Sequence, residues 1–361
     1  RNPLELGQDQ IVGLRADGGD ERDLDGTQVE AKPYIVDWDA SAAEKGGYDL
    51  FMLKEIAEQP KAVADALRGR IDAEQRIQLD ETALDDAVLR DITKVVVVAC
   101  GPAAHAGMVA KYAIEHWTRL PVDVELASEF RYRDPIVGPD ALVIAISQSG
   151  ETMDTLMALR HATAQGARTL AICNTVGSTI PRESDAVLYT YAGPEIAVAS
   201  TKAFLTQIIA AYLVGLYLAQ ARGTMFEDEI RAILSDLGDM PQKVDLVLDT
   251  VEPIRDLARR FADSPSVLFL GRHVGYPVAL EGALKLKELA YMHAEGFPAG
   301  ELKHGPIALI EEGIPVIVVV PSPRGRAVLH DKIVSNIHEG RARGASVIAI
   351  AEEGDEAIVG V

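Results

Sequence analysis

Cysteine is scarce in this sequence: Cys100 and Cys173 are the only two in 361 residues, and both sit in apolar runs that read as buried strands. That excludes a disulfide framework and a cysteine-based zinc site. Positive charge is also in deficit, with 35 Lys and Arg against 55 Asp and Glu and a net charge of −20. Such a surface repels a phosphate backbone and an anionic bilayer, so neither nucleic acid nor membrane is an expected partner. Long hydrophobic runs are lacking too. Ala203 to Ala221 is uncharged and about as long as a bilayer requires, but Thr206, Gln207 and Gln220 interrupt it, and its longest strictly apolar stretch is Ile208 to Ala219. It reads as a buried helix. The chain opens on Arg1 rather than Met and shows no signal-peptide pattern, so the expectation is a fragment of a cytoplasmic protein.

What is present is ordinary globular composition, 48% hydrophobic and 25% charged, in a chain long enough for two or three domains. Residues 1 to about 45 are acidic, Gly-rich and weakly periodic, with turn signals at Asp17-Gly18-Gly19-Asp20 and Asp25-Gly26, which suggests a domain's tail and a linker. Phe51, Ile56, Val63 and Leu67 have amphipathic helical spacing, and Pro60 should divide that helix in two. Continuous apolar runs then follow at Val95 to Ala99, Ala141 to Ser147, Thr169 to Asn174 and Ala186 to Thr190, with helical patterns at about 103 to 118 and 151 to 165 between them. Strands covered on both faces imply a parallel, doubly wound sheet in an α/β fold. A long helical stretch is expected over about 200 to 262. Strands recur at Val267 to Leu270, Pro315 to Val320 and Ser346 to Ala351, with helices near 277 to 292 and 326 to 343.

The two halves echo each other at an offset of roughly 170 residues, a domain length rather than a solenoid length. Val95 to Gly101 aligns with Val267 to Gly271, Glu129 to Pro135 loosely with Glu301 to Pro306, and Leu142 to Ser149 with Val316 to Pro323. A tandem duplication, its second copy cut short, is the economical reading.

Four segments carry chemistry. Ser147-Gln148-Ser149-Gly150-Glu151-Thr152 stands between a strand and a helix, where hydroxyls, backbone N–H groups and the helix dipole can hold an anion; a capped turn is the competing reading. Gly101 to Gly107 is a second strand-to-helix turn, but its spacing is not the dinucleotide fingerprint, and close backbone packing is favoured there. Glu281, Lys285 and Glu288 form a charged stripe flanked by Val278, Leu280, Leu284 and Leu289. Glu–Lys pairs at this spacing are common surface decoration, but a helix apolar on most of its circumference is buried, so this stripe should face a cleft or a partner. His304 sits in a turn, where an imidazole near a carboxylate and a phosphate anchor would suit proton transfers on a sugar phosphate.

Ser147 to Thr152, Glu195 to Lys202, Glu281 to Glu288 and Glu301 to Pro306, in this order, resemble the isomerase half of the glucosamine-6-phosphate synthase family, glutamine:fructose-6-phosphate aminotransferases with two sugar isomerase (SIS) domains. The resemblance runs from about residue 46 to the end and includes Lys54-Glu55-Ile56 and Glu129 to Arg133. It implies two tandem SIS domains, each a doubly wound parallel sheet, at 86–225 and 261–361. A glutaminase tail would occupy 1–25, a linker with helices 26–85, and connecting helices 226–260. It implies that Gly101, Ser147, Gln148, Ser149 and Thr152 hold the substrate, with Val198 and Ser200 lining the sugar. Glu288 would move a proton between C1 and C2. His304 would help open the fructose ring, reaching a neighbouring subunit's site, with Glu281 and Lys285 in support. No metal or organic cofactor is implied. The expected partners are fructose 6-phosphate, glucosamine 6-phosphate, the glutaminase domain and a second copy in a homodimer, for which the Ala203 to Ala221 helix offers apolar surface. The resemblance implies three departures from the family pattern: only the tail of the glutaminase would be present, the loop bearing a Schiff-base lysine would lie beyond Val361, and Pro102 and Ala103 would replace hydroxyl residues that touch substrate. A non-catalytic SIS sensor of a sugar phosphate is the main competitor, and Glu288 with His304 argues against it. A dinucleotide-binding protein is the third reading.

Overall fold

The structure is a computed structural model describing residues 4–5, 10–15, 18–29, 32–33, 44–79, 82 and 86–359. The chain divides after Gly47 into two compact units. In the first, Gln10–Arg15 and Gly18–Asp23 pair as an antiparallel hairpin, which the acidic, Gly-rich sequence did not suggest. Gly18, Gly19 and Asp20 thus lie in a strand rather than a turn; Asp17 lies outside the described residues. The Asp25-Gly26 turn is present, with Thr27 N donating to Asp25 Oδ1 at 2.9 Å.

The second unit, Tyr48–Val361, opens with helices Phe51–Ala57 and Gln59–Leu67. They break at Glu58, so that Pro60 falls in the first turn of the second helix, where its missing N–H costs nothing. The expected apolar stripe holds for Val63 and Leu67, but in the first helix the buried positions are Lys54 and Glu55, while Phe51 and Ile56 are half-buried. Charge faces inward there because it anchors a loop described below.

Two parallel sheets follow. The first comprises β1 (Lys94–Ala99), β2 (Val122–Leu126), β3 (Ala141–Ser147), β4 (Arg168–Cys173) and β5 (Ala186–Tyr189), in the order β2-β1-β3-β4-β5. The second comprises β6 (Ser266–Gly271), β7 (His293–Pro298), β8 (Pro315–Val319) and β9 (Ser346–Ile350), in the order β7-β6-β8-β9. The second sheet repeats the first four strands of the first. The segments that echo in sequence fall on equivalent strands, β1 with β6 and β3 with β8. Sequence periodicity missed β2 and β7, which are the matching edge strand of each sheet. An edge strand needs no continuous apolar run, and Asp123, Glu125, Gly296 and Pro298 are tolerated there.

Helices cover both faces of the first sheet. α1 (Gly101–Thr118) packs with Val95, Val97 and Ala99 in one core cluster, and α2 (Met153–Ala164) packs with Val96 and Val98 in the other. The long helical stretch is broken into α3 (Lys202–Arg222) and three shorter helices, Glu227–Gly238, Met240–Leu248 and Val251–Phe261. Gly223 ends α3 with a left-handed φ of 65°. α3 is long and apolar enough to cross a membrane, but 67% of its most apolar 18-residue window is buried in this fold, and none of its residues is exposed. Its apolar surface therefore lies inside the domain, against α1 and the Gln59–Leu67 helix, and is not free for a second copy as expected. In the second domain α4 (Gly275–Ala290) and α5 (Ala327–Arg341) flank the sheet.

Two glycines set close helix approaches. A Cβ on Gly107 would sit 2.8 Å from Val97 Cγ1, and one on Gly215 would sit 2.8 Å from Ile114 Cγ1 and 3.2 Å from the Trp117 ring. Gly107 thus serves packing against β1, as favoured from sequence. Helix propensity alone predicts that Gly215→Leu stabilises by up to about 1 kcal/mol. The close contact with α1 predicts instead a loss of about 1–3 kcal/mol in urea unfolding.

Candidate functional site

β1 and β3 are neighbours, and their following helices leave toward opposite faces, which opens a crevice beyond the carboxyl ends of the strands. A cleft of about 160 Å³ lies there. Cys100, Pro102 and Ala103 form one wall, Ile146 to Ser149 and Thr152 the floor, and Ser200 with Gln207 the far side.

The turn after β3 has little freedom. Ser147 is 2% exposed; its Oγ accepts from Gly150 N at 3.0 Å and lies 3.0 Å from Thr152 Oγ1. Gly150 has φ +69°, and a Cβ there would lie 1.8 Å from Ser178 Oγ, so both conformation and space demand glycine. Ser149 Oγ accepts from Glu151 N at 3.2 Å, and Glu151 Oε1 accepts from Thr179 N at 2.8 Å, tying the turn to the next segment. Thr152 sits at the N-cap of α2 but caps no backbone N–H with its side chain. Its hydroxyl faces Ser147 instead, so the capped-turn reading does not account for it.

The loop bearing Ser200 is held by a buried carboxylate, Glu55, and a half-buried one, Glu195. Glu55 accepts from Ile196 N at 2.6 Å and Ala197 N at 3.1 Å, and Glu195 accepts from Thr201 N at 2.8 Å and Ala203 N at 3.2 Å. Lys202, itself buried, pairs with Glu58 at 2.7 Å, and Lys54 with the same carboxylate at 3.4 Å. Burial pushes the Glu195 carboxyl above its ordinary value, opposed by the N–H groups of Thr201 and Ala203 and by the Ser200 hydroxyl.

Only the Glu281 end of the charged stripe of α4 meets a partner helix. His105 Nδ1 on α1 lies 2.7 Å from Glu281 Oε2, across the junction of the two domains. Lys285 Nζ pairs with Glu281 at 3.2 Å and with Glu288 at 2.6 Å. Glu281 is buried while Glu288 is exposed. The flanking residues do not close over the stripe as expected: Val278 and Leu289 are exposed, and the buried face carries Pro277, Ala279, Glu281 and Ala283 instead.

Of the expected substrate contacts, Ser147, Gln148, Ser149, Thr152 and Ser200 line the cleft. Gly101 opens α1 at φ +53° between the lining residues Cys100 and Pro102. Val198 does not line it: the backbone N–H bonds to Glu55 fix its loop with the Val198 side chain fully exposed. Glu281, Lys285 and Glu288 form their own cluster outside the cleft lining. His304 is exposed at the end of the 3-10 turn Ala299–His304, likewise outside that lining. Sequence reasoning missed three residues. Gln207 was visible as a polar break in an apolar helix, Cys100 as the residue closing a strand, and His105 carried no local signal because its partner is 176 residues away.

The raised Glu195 pKa means that the native state holds this proton more tightly than the unfolded chain. Stability should therefore fall as pH rises from the ordinary carboxylate range through the raised value. Glu195→Gln keeps an acceptor oxygen for Thr201 N and loses the charge. Chemical unfolding across acid to neutral pH should show a flatter profile for the variant, with stability at neutral pH equal to or above the parent.

The SIS domain profile matches residues 88–217 and 260–360. The chain is 71% identical over 359 residues to the glutamine–fructose-6-phosphate aminotransferase (isomerizing) of Streptomyces coelicolor, an alignment covering 99% of this chain and 58% of that protein. It is 65% identical over 363 residues to the protein of the same name from Mycobacterium tuberculosis, with the same coverage of each. The chain thus spans less than two thirds of the curated relatives it matches. Among solved structures, the C-terminal domain of glucosamine-fructose-6-phosphate aminotransferase from Francisella tularensis superposes with a TM-score of 0.82 at 41% identity, covering 86% of each chain. Tagatose-6-phosphate ketose/aldose isomerase from Escherichia coli shares the fold, with a TM-score of 0.70 at 19% identity over 89% of this chain and 86% of that one. The chain belongs to the SIS domain family and, within it, to the C-terminal isomerase half of the glutamine–fructose-6-phosphate aminotransferases.

Proposed function

We propose that this chain binds fructose 6-phosphate in the Ser147 cleft and, supplied with ammonia by a glutaminase domain, converts it to glucosamine 6-phosphate. The observation that carries this reading is the hydroxyl-rich turn at the crevice between β1 and β3, rigid at Gly150 and lining a cleft with Ser200 and Gln207. Ser147, Gln148, Ser149 and Thr152 hold the phosphate beside the N-terminus of α2, and Ser200 faces the sugar. Ammonia replaces the C2 carbonyl oxygen, which leaves as water. Glu288 then takes a proton from C1 and returns it to C2, leaving an amino aldose. Lys285, 2.6 Å from Glu288, stabilises its carboxylate, and His105 with Glu281 fixes Lys285 from below. His304 opens the fructose ring from a neighbouring subunit. A homodimer and a cytoplasmic location complete this reading; α3, buried inside the domain, supplies no interface for that dimer.

Pro102 and Ala103 line the cleft where the family carries hydroxyls. An unpaired ligand oxygen facing them costs about 1–3 kcal/mol, so weak substrate binding is part of this reading. The placement of Glu288 and His304 outside the cleft lining favours a second reading, a non-catalytic sugar-phosphate module.

Calorimetry with fructose 6-phosphate and glucosamine 6-phosphate tests the site; both should bind. A Ser149→Ala, Thr152→Ala double variant keeps the bond between Ser147 and Gly150, so affinity should drop at least tenfold while the melting temperature falls by only a few degrees. Unchanged affinity would remove the phosphate anchor. Hydrogen exchange at C1 or C2 in deuterated water separates enzyme from module. The full-length protein should exchange and its Glu288→Gln variant should not, with similar affinities. Exchange at the parent rate in the variant would assign the proton transfer to another residue.

A further inference from the structure

We infer that Gln207 is a substrate-contacting residue whose side-chain amide reads a sugar hydroxyl of the ligand in the Ser147 cleft. The inference rests on the sugar-phosphate reading above and adds a contact on the helix side of the site. Three polar residues, Thr206, Gln207 and Gln220, interrupt the apolar α3. Two of them are satisfied within the protein. Thr206 Oγ1 donates to Ala203 O at 3.1 Å, a bond back along its own helix. Gln220 accepts from Ile77 N at 3.1 Å and donates to Ile77 O at 3.0 Å, stitching α3 to the preceding segment. Gln207 differs from both. It is 2% exposed, yet its Oε1 has no hydrogen-bond partner, and the residue lines the same cleft as Ser147 and Ser149.

A buried amide oxygen without a partner forfeits its hydration and gains nothing in return. A leucine of similar volume would suit the core of α3 better, so folding alone gives no reason for glutamine here. The amide is instead poised for a ligand that brings the missing group. Phosphate oxygens are chiefly acceptors and are claimed by the turn across the cleft. A sugar hydroxyl both donates and accepts, so it satisfies the amide in either orientation of the side chain. The class of ligand is therefore a polyhydroxylated phosphate ester, gripped by its phosphate at the turn and by a hydroxyl at Gln207. Specificity follows from the same geometry, because a ligand lacking that hydroxyl leaves the amide unpaired.

The test uses Gln207→Leu and Gln207→Met in the full-length protein, with fructose 6-phosphate and inorganic phosphate as probes. The expected result is a melting temperature equal to or above the parent, at least tenfold weaker binding of fructose 6-phosphate with a matching rise in KM, and unchanged competition by inorganic phosphate. Two variants guard against a packing artefact in either one. Binding of fructose 6-phosphate within twofold of the parent in both variants would overturn the inference. So would a fall of several degrees in both melting temperatures with equal losses for the two probes, since that pattern belongs to a structural glutamine. If the parent itself bound no sugar phosphate, the reading of the cleft would fall and this inference with it, whereas normal parent binding with unaffected variants removes Gln207 alone.

Discussion

The site depends on two parallel strands ending side by side. β1 and β3 are hydrogen-bonded neighbours whose chains depart to opposite faces of the sheet, and no side chain from either helix fills the gap beyond their carboxyl ends. What enters the gap is decided by the turns. After β3 the backbone must reverse within van der Waals contact of Ser178 and Cys173, which only Gly150 permits. That reversal places the hydroxyls of Ser147 and Thr152 3.0 Å apart on the cleft floor.

The far wall is held by a different kind of force. A loop running from Glu195 to Lys202 has no sheet to pair with, so its N–H groups need acceptors. Glu55 and Glu195 supply them from half-buried or buried positions, and Lys202 balances the charge with Glu58. A buried carboxylate is tolerated only where hydrogen bonds replace its hydration. That requirement explains why the inward face of the first N-terminal helix carries Lys54 and Glu55 rather than Phe51 and Ile56. It also ties residues near position 55 to a loop lining the Ser147 cleft some 140 positions later in the chain.

The junction of the two domains follows the same logic. Glu281 is buried on α4 and is met there by His105 from the first domain and Lys285 from its own helix. Removing either partner would leave a charge with too little compensation, so the cluster fixes how α4 lies on α1. Lys285 then hands the ordering on to Glu288 at the edge of the junction. The same surface also brings Tyr112 and His273 into ring contact at 4.2 Å, where burial and the Arg326 charge lower the imidazole's pKa.

Local sequence was sufficient for the parts governed by local physics. Continuous apolarity located the central strands β1, β3, β4, β6 and β8, which are covered on both faces, and also the edge strands β5 and β9, whose short runs are themselves largely apolar; Pro60 located the helix break. The hydroxyl turn was legible because its chemistry lies within six consecutive residues. Strands β2 and β7 were not, since an edge strand can be half polar. The unity of the 200 to 262 stretch was overestimated, because helical periodicity does not reveal where Gly223, Asp239 and Asp249 end each segment. Tertiary structure alone decided what depends on residues far apart in sequence. It turned Lys54 and Glu55 inward and left Val198 in solvent. It set His105 against Glu281, left none of the apolar surface of α3, already legible as a buried helix, free for a second copy, and distinguished Gln207 from the satisfied Thr206 and Gln220. Sequence fixes periodicity and local hydrogen-bond chemistry, whereas the partner of a buried polar group is set by whichever distant segment packs beside it.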